Sequence, residues 1–216
     1  MKDKQTFMMK GSFALLLFMI IGYIVKFYPE QLIPFDSSIQ TAIRGDLPAT
    51  FTTVFRGITR LIDLPIVISW AILLTVIFYL KKWKSESLLV AGNLSLAGIL
   101  IVSLKHLYQR PRPEILHLVE EEGFSFPSGH SLAVTVLIGS LIIIVGQRVK
   151  DRTVKLILQI LLGIYLVSVI ISRVYLGVHY PSDVLASLCL GLGILFIEFP
   201  FYDKLRFQWR FTGKQK

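Results

Sequence analysis

Six apolar runs, each long enough or nearly so for a helical span of about 20 residues, organise this chain of 216 residues. They lie near 11–28, 65–80, 88–106, 128–146, 156–172 and 183–200. The second is short and spans only if its ends extend. In lipid such runs must be helical, because backbone N–H and C=O groups find partners there only within their own segment. The chain is 54% hydrophobic with a mean hydropathy of +0.66, more apolar surface than a soluble domain of this length can hide. The expectation is an all-α integral membrane protein, a six-transmembrane-helix bundle forming a single domain over 1–216.

Charge sets the expected orientation. Lys2, Lys4 and Lys10, then Lys81, Lys82 and Lys84, then Arg148, Lys150, Arg152 and Lys155, then Lys204, Arg206, Arg210, Lys214 and Lys216 fall on segments that share one side. They make up 15 of the 23 basic residues. By the positive-inside rule that side is cytoplasmic and holds both termini; segments 29–64, 107–127 and 173–182 are then outside. The net charge of +9 does not point to nucleic acid, because the basic residues are dispersed between apolar runs and not pooled in a polar domain. The first run follows three lysines as a signal peptide would, but no small-x-small cleavage site follows, and it reads as a retained signal anchor. The one cysteine, Cys189, lies in an apolar run, reads as a small core residue and excludes an intrachain disulfide.

The first outer segment is long for a simple loop. Within it Phe51, Val54, Phe55, Ile58 and Ile62 recur at helical spacing, with Thr52, Thr53, Arg56 and Arg60 on other faces. This pattern fits an amphipathic interfacial helix between the first two spans, or equally a helix packed on the other spans.

Three polar clusters sit at outer span ends. The first runs from Lys105 through Arg112-Pro113; the prolines stop the helix and stiffen the chain, and two fixed cations suit an oxyanion, lysine as a point charge and arginine as a planar fork. The second, Pro127-Ser128-Gly129-His130, opens the fourth span. Unpaired N–H groups at a helix N-terminus bind anions, Gly129 admits close approach, and Ser128 caps the helix or donates to the same anion. The third runs from Ser172-Arg173 through Gly177 to His179 and Asp183. A carboxylate four residues from an imidazole can fix its tautomer and leave the other nitrogen as a nucleophile. Each cluster alone has a plainer explanation: a cation snorkelling to headgroups, a helix cap, a structural histidine. The derived topology, however, puts all three on one side.

Together these residues resemble the tripartite motif of the type 2 phosphatidic acid phosphatase superfamily: Lys105 with six residues before Arg112-Pro113, then Pro127-Ser128-Gly129-His130, then Ser172-Arg173 with Gly177, His179 and Asp183. Order and spacing match without departure, and the resemblance covers about 88–200 in detail. It implies a phosphatase in which His179 attacks phosphorus, Asp183 orients His179, and His130 protonates the leaving oxygen. It further implies that Lys105, Arg112, Arg173, Ser128 and the Gly129 N–H hold the phosphoryl oxygens, with no metal or other cofactor. The Glu120-Glu121-Glu122 run reads as a solvated loop face in preference to a cation site, and His106 and His117 as structural or exposed.

The partner expected from the resemblance is a lipid phosphate at the outer leaflet. Undecaprenyl diphosphate, phosphatidylglycerophosphate and phosphatidic acid fit equally by chemistry. The compact chain fits a bacterial setting, where recycling of the undecaprenyl carrier of wall synthesis puts that substrate slightly ahead. The alternatives are a phosphatase of a soluble ester and a non-catalytic lipid-phosphate binding or transport protein. Ionisable residues are nearly absent from the span interiors, Glu198 near an inner end excepted, which argues against transport. Haloperoxidases share the constellation, so vanadate is expected to bind as a phosphate mimic. Small residues such as Ala186, Ser187, Gly191 and Gly193 permit close helix contact within the chain or across a dimer.

Overall fold

The apolar runs do form helices. The computed structural model describes residues 2–215; Lys216, counted above among the basic residues, lies outside them. Among the described residues eight α-helices follow in order: α1 (Lys2–Phe27), α2 (Ile33–Arg44), α3 (Ala49–Arg60), α4 (Leu64–Leu80), α5 (Lys84–Tyr108), α6 (Gly129–Arg148), α7 (Arg152–Tyr175) and α8 (Pro181–Phe211). Five of them, α1, α5, α6, α7 and α8, are each long and apolar enough to cross a membrane, and α3 with α4 makes a sixth candidate, bent by 48°. The 17 residues of α4 rise only about 25 Å, which is why the second run is marginal by itself. The protein is an all-α, multi-pass membrane protein.

Helix α6 lies at the centre, packed against α4, α5, α7 and α8. Leu132, Val134, Val136 and Leu137 along it are buried. Helices α1, α4 and α7 turn large apolar side chains outward instead, among them Phe13, Ile20, Ile72, Ile157 and Leu161, as lipid-facing helices do. Buried hydroxyls on the inner helices are satisfied locally: Thr135 donates to the Ser131 carbonyl at 2.6 Å, and Ser140 to that of Val136 at 2.6 Å.

Helix α1 runs antiparallel along α8. A Cβ on Gly11 would stand 2.6 Å from Ile197 Cγ1, and one on Gly193 2.6 Å from Leu15 Cδ2, so both glycines are needed for this approach. The expected small-residue contact at Gly193 is therefore made within the chain. Phe7 meets Phe199 at 4.5 Å between ring centres, and the Ser85 N–H donates to Gln215 Oε1 at 2.8 Å. These contacts gather the two chain ends at one end of the bundle. There, Glu86 is fully buried and accepts from Arg148 Nε at 2.6 Å and Ser85 Oγ at 2.8 Å, with Arg206 Nε at 3.5 Å. This cluster ties the start of α5 to the end of α6 and the extension of α8.

The opposite, distal end is capped by α2, α3 and the irregular segment 109–128. Helix α3 packs on another span, one of the two expected readings. Its Phe55 ring lies 4.7 Å from the Tyr175 ring of α7, and Thr59 is buried, whereas Phe51 and Val54 remain outward. Helix α2 has no counterpart in the sequence reading, where its residues form part of one long outer segment.

Candidate active site

The distal ends of α5, α6, α7 and α8 converge beneath this cap. Proline and serine shape the approach. Helix α5 stops at Gln109, which takes a left-handed conformation (φ 51°) just before Arg110-Pro111-Arg112-Pro113. Ser128 caps α6, accepting from the Ser131 N–H at 3.3 Å and donating to Ser131 Oγ at 2.9 Å. Gly177, at φ +82°, turns the chain from α7 into α8; a Cβ there would collide with Arg44 Nη1 and stand 2.6 Å from the Leu116 carbonyl. Arg44, on α2, donates to the carbonyls of Tyr175 at 3.1 Å and Leu116 at 2.8 Å. Arg56, on α3, donates to that of Leu118 at 2.7 and 2.9 Å. The cap thus fixes both the α7–α8 turn and the segment facing it.

His179 follows that turn and is 1% exposed. Its Nε2 lies 3.5 Å from Arg112 Nη1, and its Nδ1 lies 3.5 Å from Asp183 Oδ2, beyond a well-formed hydrogen bond. Burial pushes the His179 imidazole down to about 4 against the pull of Asp183, with Arg173 and Arg112 adding to the depression. The ring is therefore neutral around pH 7, with a free lone pair. Asp183 is fully buried; its Oδ1 accepts from Arg110 Nη1 at 2.6 Å and its Oδ2 from the Tyr180 N–H at 3.0 Å.

Arg112 reaches into the same space. It donates to the carbonyls of Val178 at 2.8 Å, Glu122 at 2.8 Å and Gly123 at 3.1 Å. Arg173, 1% exposed, donates from Nη1 to Thr59 Oγ1 at 2.6 Å and from Nη2 to Glu121 Oε1, and its Nε is buried without a hydrogen-bond partner. Lys105 donates to the Phe124 carbonyl at 2.8 Å and is near enough to feel the charges of Arg112, Glu121, Asp183 and Arg173. His130, in the first turn of α6, faces a carboxylate from each ring nitrogen: Asp63 Oδ1 at 3.3 Å and Glu121 Oε1 at 3.6 Å.

The structure therefore gathers Lys105, Arg112, His130, Arg173, His179 and Asp183 at one place. Ser128 and Gly129 stand at the helix start beside them, with the Ser128 hydroxyl engaged as the cap. Glu121 corrects the expectation of a solvated acidic face. It is gripped by Arg173, lies 3.4 Å from Arg112 Nη2 and joins the cationic cluster. Burial pushes its carboxyl up, but Arg173, His130, His179 and Arg112 outweigh burial and hold it below the usual range. Three adjacent acids look alike in sequence, and only the path of segment 109–128 selects the middle one. His106 and His117 bond to the carbonyls of Val102 and Pro113 and lie outside the cluster. Arg110, Asp36 and Asp63 are further members that carried no signal of their own.

The sequence profile of the PAP2 superfamily matches residues 86–207. The chain belongs to the PAP2 superfamily. Among its PAP2 relatives, phosphatidylglycerophosphatase B of Bacillus subtilis is 35% identical over 130 residues, which cover 60% of this chain and 63% of the relative; the alignment thus spans less than two thirds of that protein. Undecaprenyl-diphosphatase BcrC of the same organism is 32% identical over 150 residues, covering 65% of this chain and 71% of the relative. The crystal structure of the transmembrane PAP2-type phosphatidylglycerolphosphate phosphatase from B. subtilis superposes with a TM-score of 0.81 at 28% identity, covering 91% of this chain and 97% of that one. Aquifex aeolicus LpxE shares the fold, with a TM-score of 0.60 at 23% identity.

Proposed function

We propose that this PAP2 protein is a membrane phosphatase that removes phosphate from lipid phosphates or diphosphates through a phosphohistidine. The observation that carries the reading is Glu121. An anionic group is already clasped by Arg173 and Arg112 beside the buried, neutral imidazole of His179. A phosphoryl group exchanged for that carboxylate meets the same donors, together with Lys105, the unsatisfied Arg173 Nε and the Gly129 N–H. Fixed positive charge of this kind is what phosphoryl transfer requires.

The chemistry follows from the geometry. The lone pair of His179 Nε2 attacks phosphorus, the N–P bond forms, and the bond from phosphorus to the leaving oxygen breaks. His130 enters this step as the imidazolium, gives that oxygen its proton and becomes neutral. Neutral His130 then takes a proton from water, the water oxygen attacks phosphorus, and the N–P bond breaks to release inorganic phosphate and restore His179.

A lipid substrate is favoured by an apolar cavity of about 570 Å³ between α4 and α5, lined by Val67, Ala71, Leu94, Ala97, Gly98 and Ile101 among others. It reaches Ala133, one turn below His130, and Ile101 also borders Gly129. A chain lying there brings its headgroup to the first turn of α6. The activities for which the relatives are named support phosphatidylglycerophosphate and undecaprenyl diphosphate as the first substrates to test. Basic residues concentrated at the opposite end support an extracytoplasmic site with both termini in the cytoplasm.

The test is phosphate release from undecaprenyl diphosphate, phosphatidylglycerophosphate, phosphatidic acid and a short-chain soluble ester by purified protein. His179→Ala is expected to lose at least about 10³-fold in kcat, and His130→Ala about 10²–10⁴-fold, with helicity and detergent-extracted yield unchanged. Folded His179→Ala protein of full activity would sink the mechanism, and preference for the soluble ester would sink the lipid assignment.

A further inference from the structure

Behind Asp183, on the side away from His179, lies a second buried charge layer that the proposed chemistry does not use. Arg110 is 8% exposed and Asp36 2% exposed. Arg110 lies between two carboxylates: Nη1 donates to Asp183 Oδ1 at 2.6 Å and Nη2 to Asp36 Oδ2 at 2.8 Å. Nη1 also meets Ser182 Oγ at 2.7 Å, and the guanidinium lies 3.9 Å from the centre of the Tyr180 ring. Asp36 belongs to α2, yet it caps α8 from outside: its Oδ1 accepts from the Ser182 N–H at 2.8 Å, and its Oδ2 from Ser182 Oγ at 2.8 Å.

Resting on the phosphohistidine reading, we infer that Arg110 and Asp36 are positioning residues that hold Asp183 and set its charge against His179. Two physical points carry this. Both oxygens of Asp183 are engaged, one by Arg110 and the other by the Tyr180 N–H, so its carboxylate cannot rotate. Charge then decides its strength as an acceptor. Paired with Arg110 alone, Asp183 would form a neutral couple. Asp36 draws on the same guanidinium and leaves the three groups with a net charge of about −1 beside the imidazole. When Nε2 binds phosphorus while Nδ1 keeps its proton, the ring becomes cationic. The buried triad supplies the counter-charge for that moment, and α2, absent from the three motifs, becomes part of the catalytic apparatus through it.

The test uses full-length protein in detergent or proteoliposomes. Asp36→Asn keeps shape and removes charge. Vanadate, which takes the five-coordinate geometry of a transferring phosphoryl group on the imidazole, reads the ring's charge; inorganic phosphate, held by the cations alone, does not. Asp36→Asn is expected to lower kcat and weaken vanadate by about 10–100-fold, the range of effects for partners that orient a functional ligand. KM and the phosphate inhibition constant should stay within about threefold. Arg110→Lys, which offers one point charge in place of the fork, should follow the same pattern. A role in folding alone would reduce the active fraction while leaving both inhibition constants at their wild-type values, and that result overturns the inference, as does wild-type kcat in Asp36→Asn. If Asp36→Asn does not accumulate, Ser182→Ala removes the hydroxyl bridge with every charge kept. It should shift vanadate by about 3–10-fold, and an unchanged vanadate constant there also refutes the relay. Wild-type protein that releases phosphate from no substrate defeats the phosphatase reading, whereas the ratio of vanadate to phosphate binding still decides the relay.

Discussion

In the proposed reaction, Glu121 and an incoming phosphoryl group compete for one set of donors. Exchanging Glu121 for glutamine removes the internal competitor, so Glu121→Gln should bind inorganic phosphate about tenfold more tightly, ~1.4 kcal/mol, measured as product inhibition. His179 gives a pH prediction. Its imidazole must be neutral to attack, and burial has pushed it down to about 4. Activity should therefore show no loss from His179 protonation between pH 7 and 5, and should fall as pH drops through about 4, where the ring gains a proton. An unperturbed histidine would place that limb near 6.5, and a pH–rate profile of kcat/KM separates the two. The five residues gathered around this imidazole, Lys105, Arg112, His130, Arg173 and Asp183, were legible in the sequence from their types and spacing. Arg110 and Asp36 were not, because an arginine just before a proline and an aspartate near a proline have many ordinary uses. What makes them special is a meeting of residues 74 positions apart.

The elements were legible in proportion to their apolar length. Helices α1, α5, α6, α7 and α8 follow directly from runs that lipid forces into helices. Helix α2 did not stand out, because its mix of Pro34, Asp36, Ser37 and Ser38 reads as loop, and its helix is held by Arg44 and Asp36 bonding to distant segments. At the other end, Glu86 marks where three elements lock. It is buried between Arg148 and Arg206. Glu86→Ala would remove the buried carboxylate that both guanidinium groups share, and is expected to destabilise the fold by about 3–5 kcal/mol. Thermal unfolding in detergent checks this, and the surviving folded fraction should keep wild-type KM because the site lies at the far end.

For the whole molecule, the relation between pocket and groove is the decisive arrangement. Gly98 lines the apolar cavity, and a Cβ there would meet nothing within 4 Å. Gly98→Leu should therefore fold, gain helix propensity of up to about 1 kcal/mol, and fill the groove. It should raise KM for a long-chain lipid phosphate by at least about tenfold while leaving a short-chain soluble ester within about twofold; equal effects on both would separate the groove from the substrate path. The sequence placed the cations but not this cavity, because a groove is a property of how α4 leans on α5 and not of either run. The contact of α1 with α8 has a consequence for biogenesis. Helix α1 precedes α8 by more than 150 residues yet packs along it, and Asp183 and Ser182 arrive only with α8. A nascent chain can therefore insert α1, α5, α6 and α7 and still lack the carboxylate that faces His179, and the cluster closes in a single step, once the first turn of α8 has emerged.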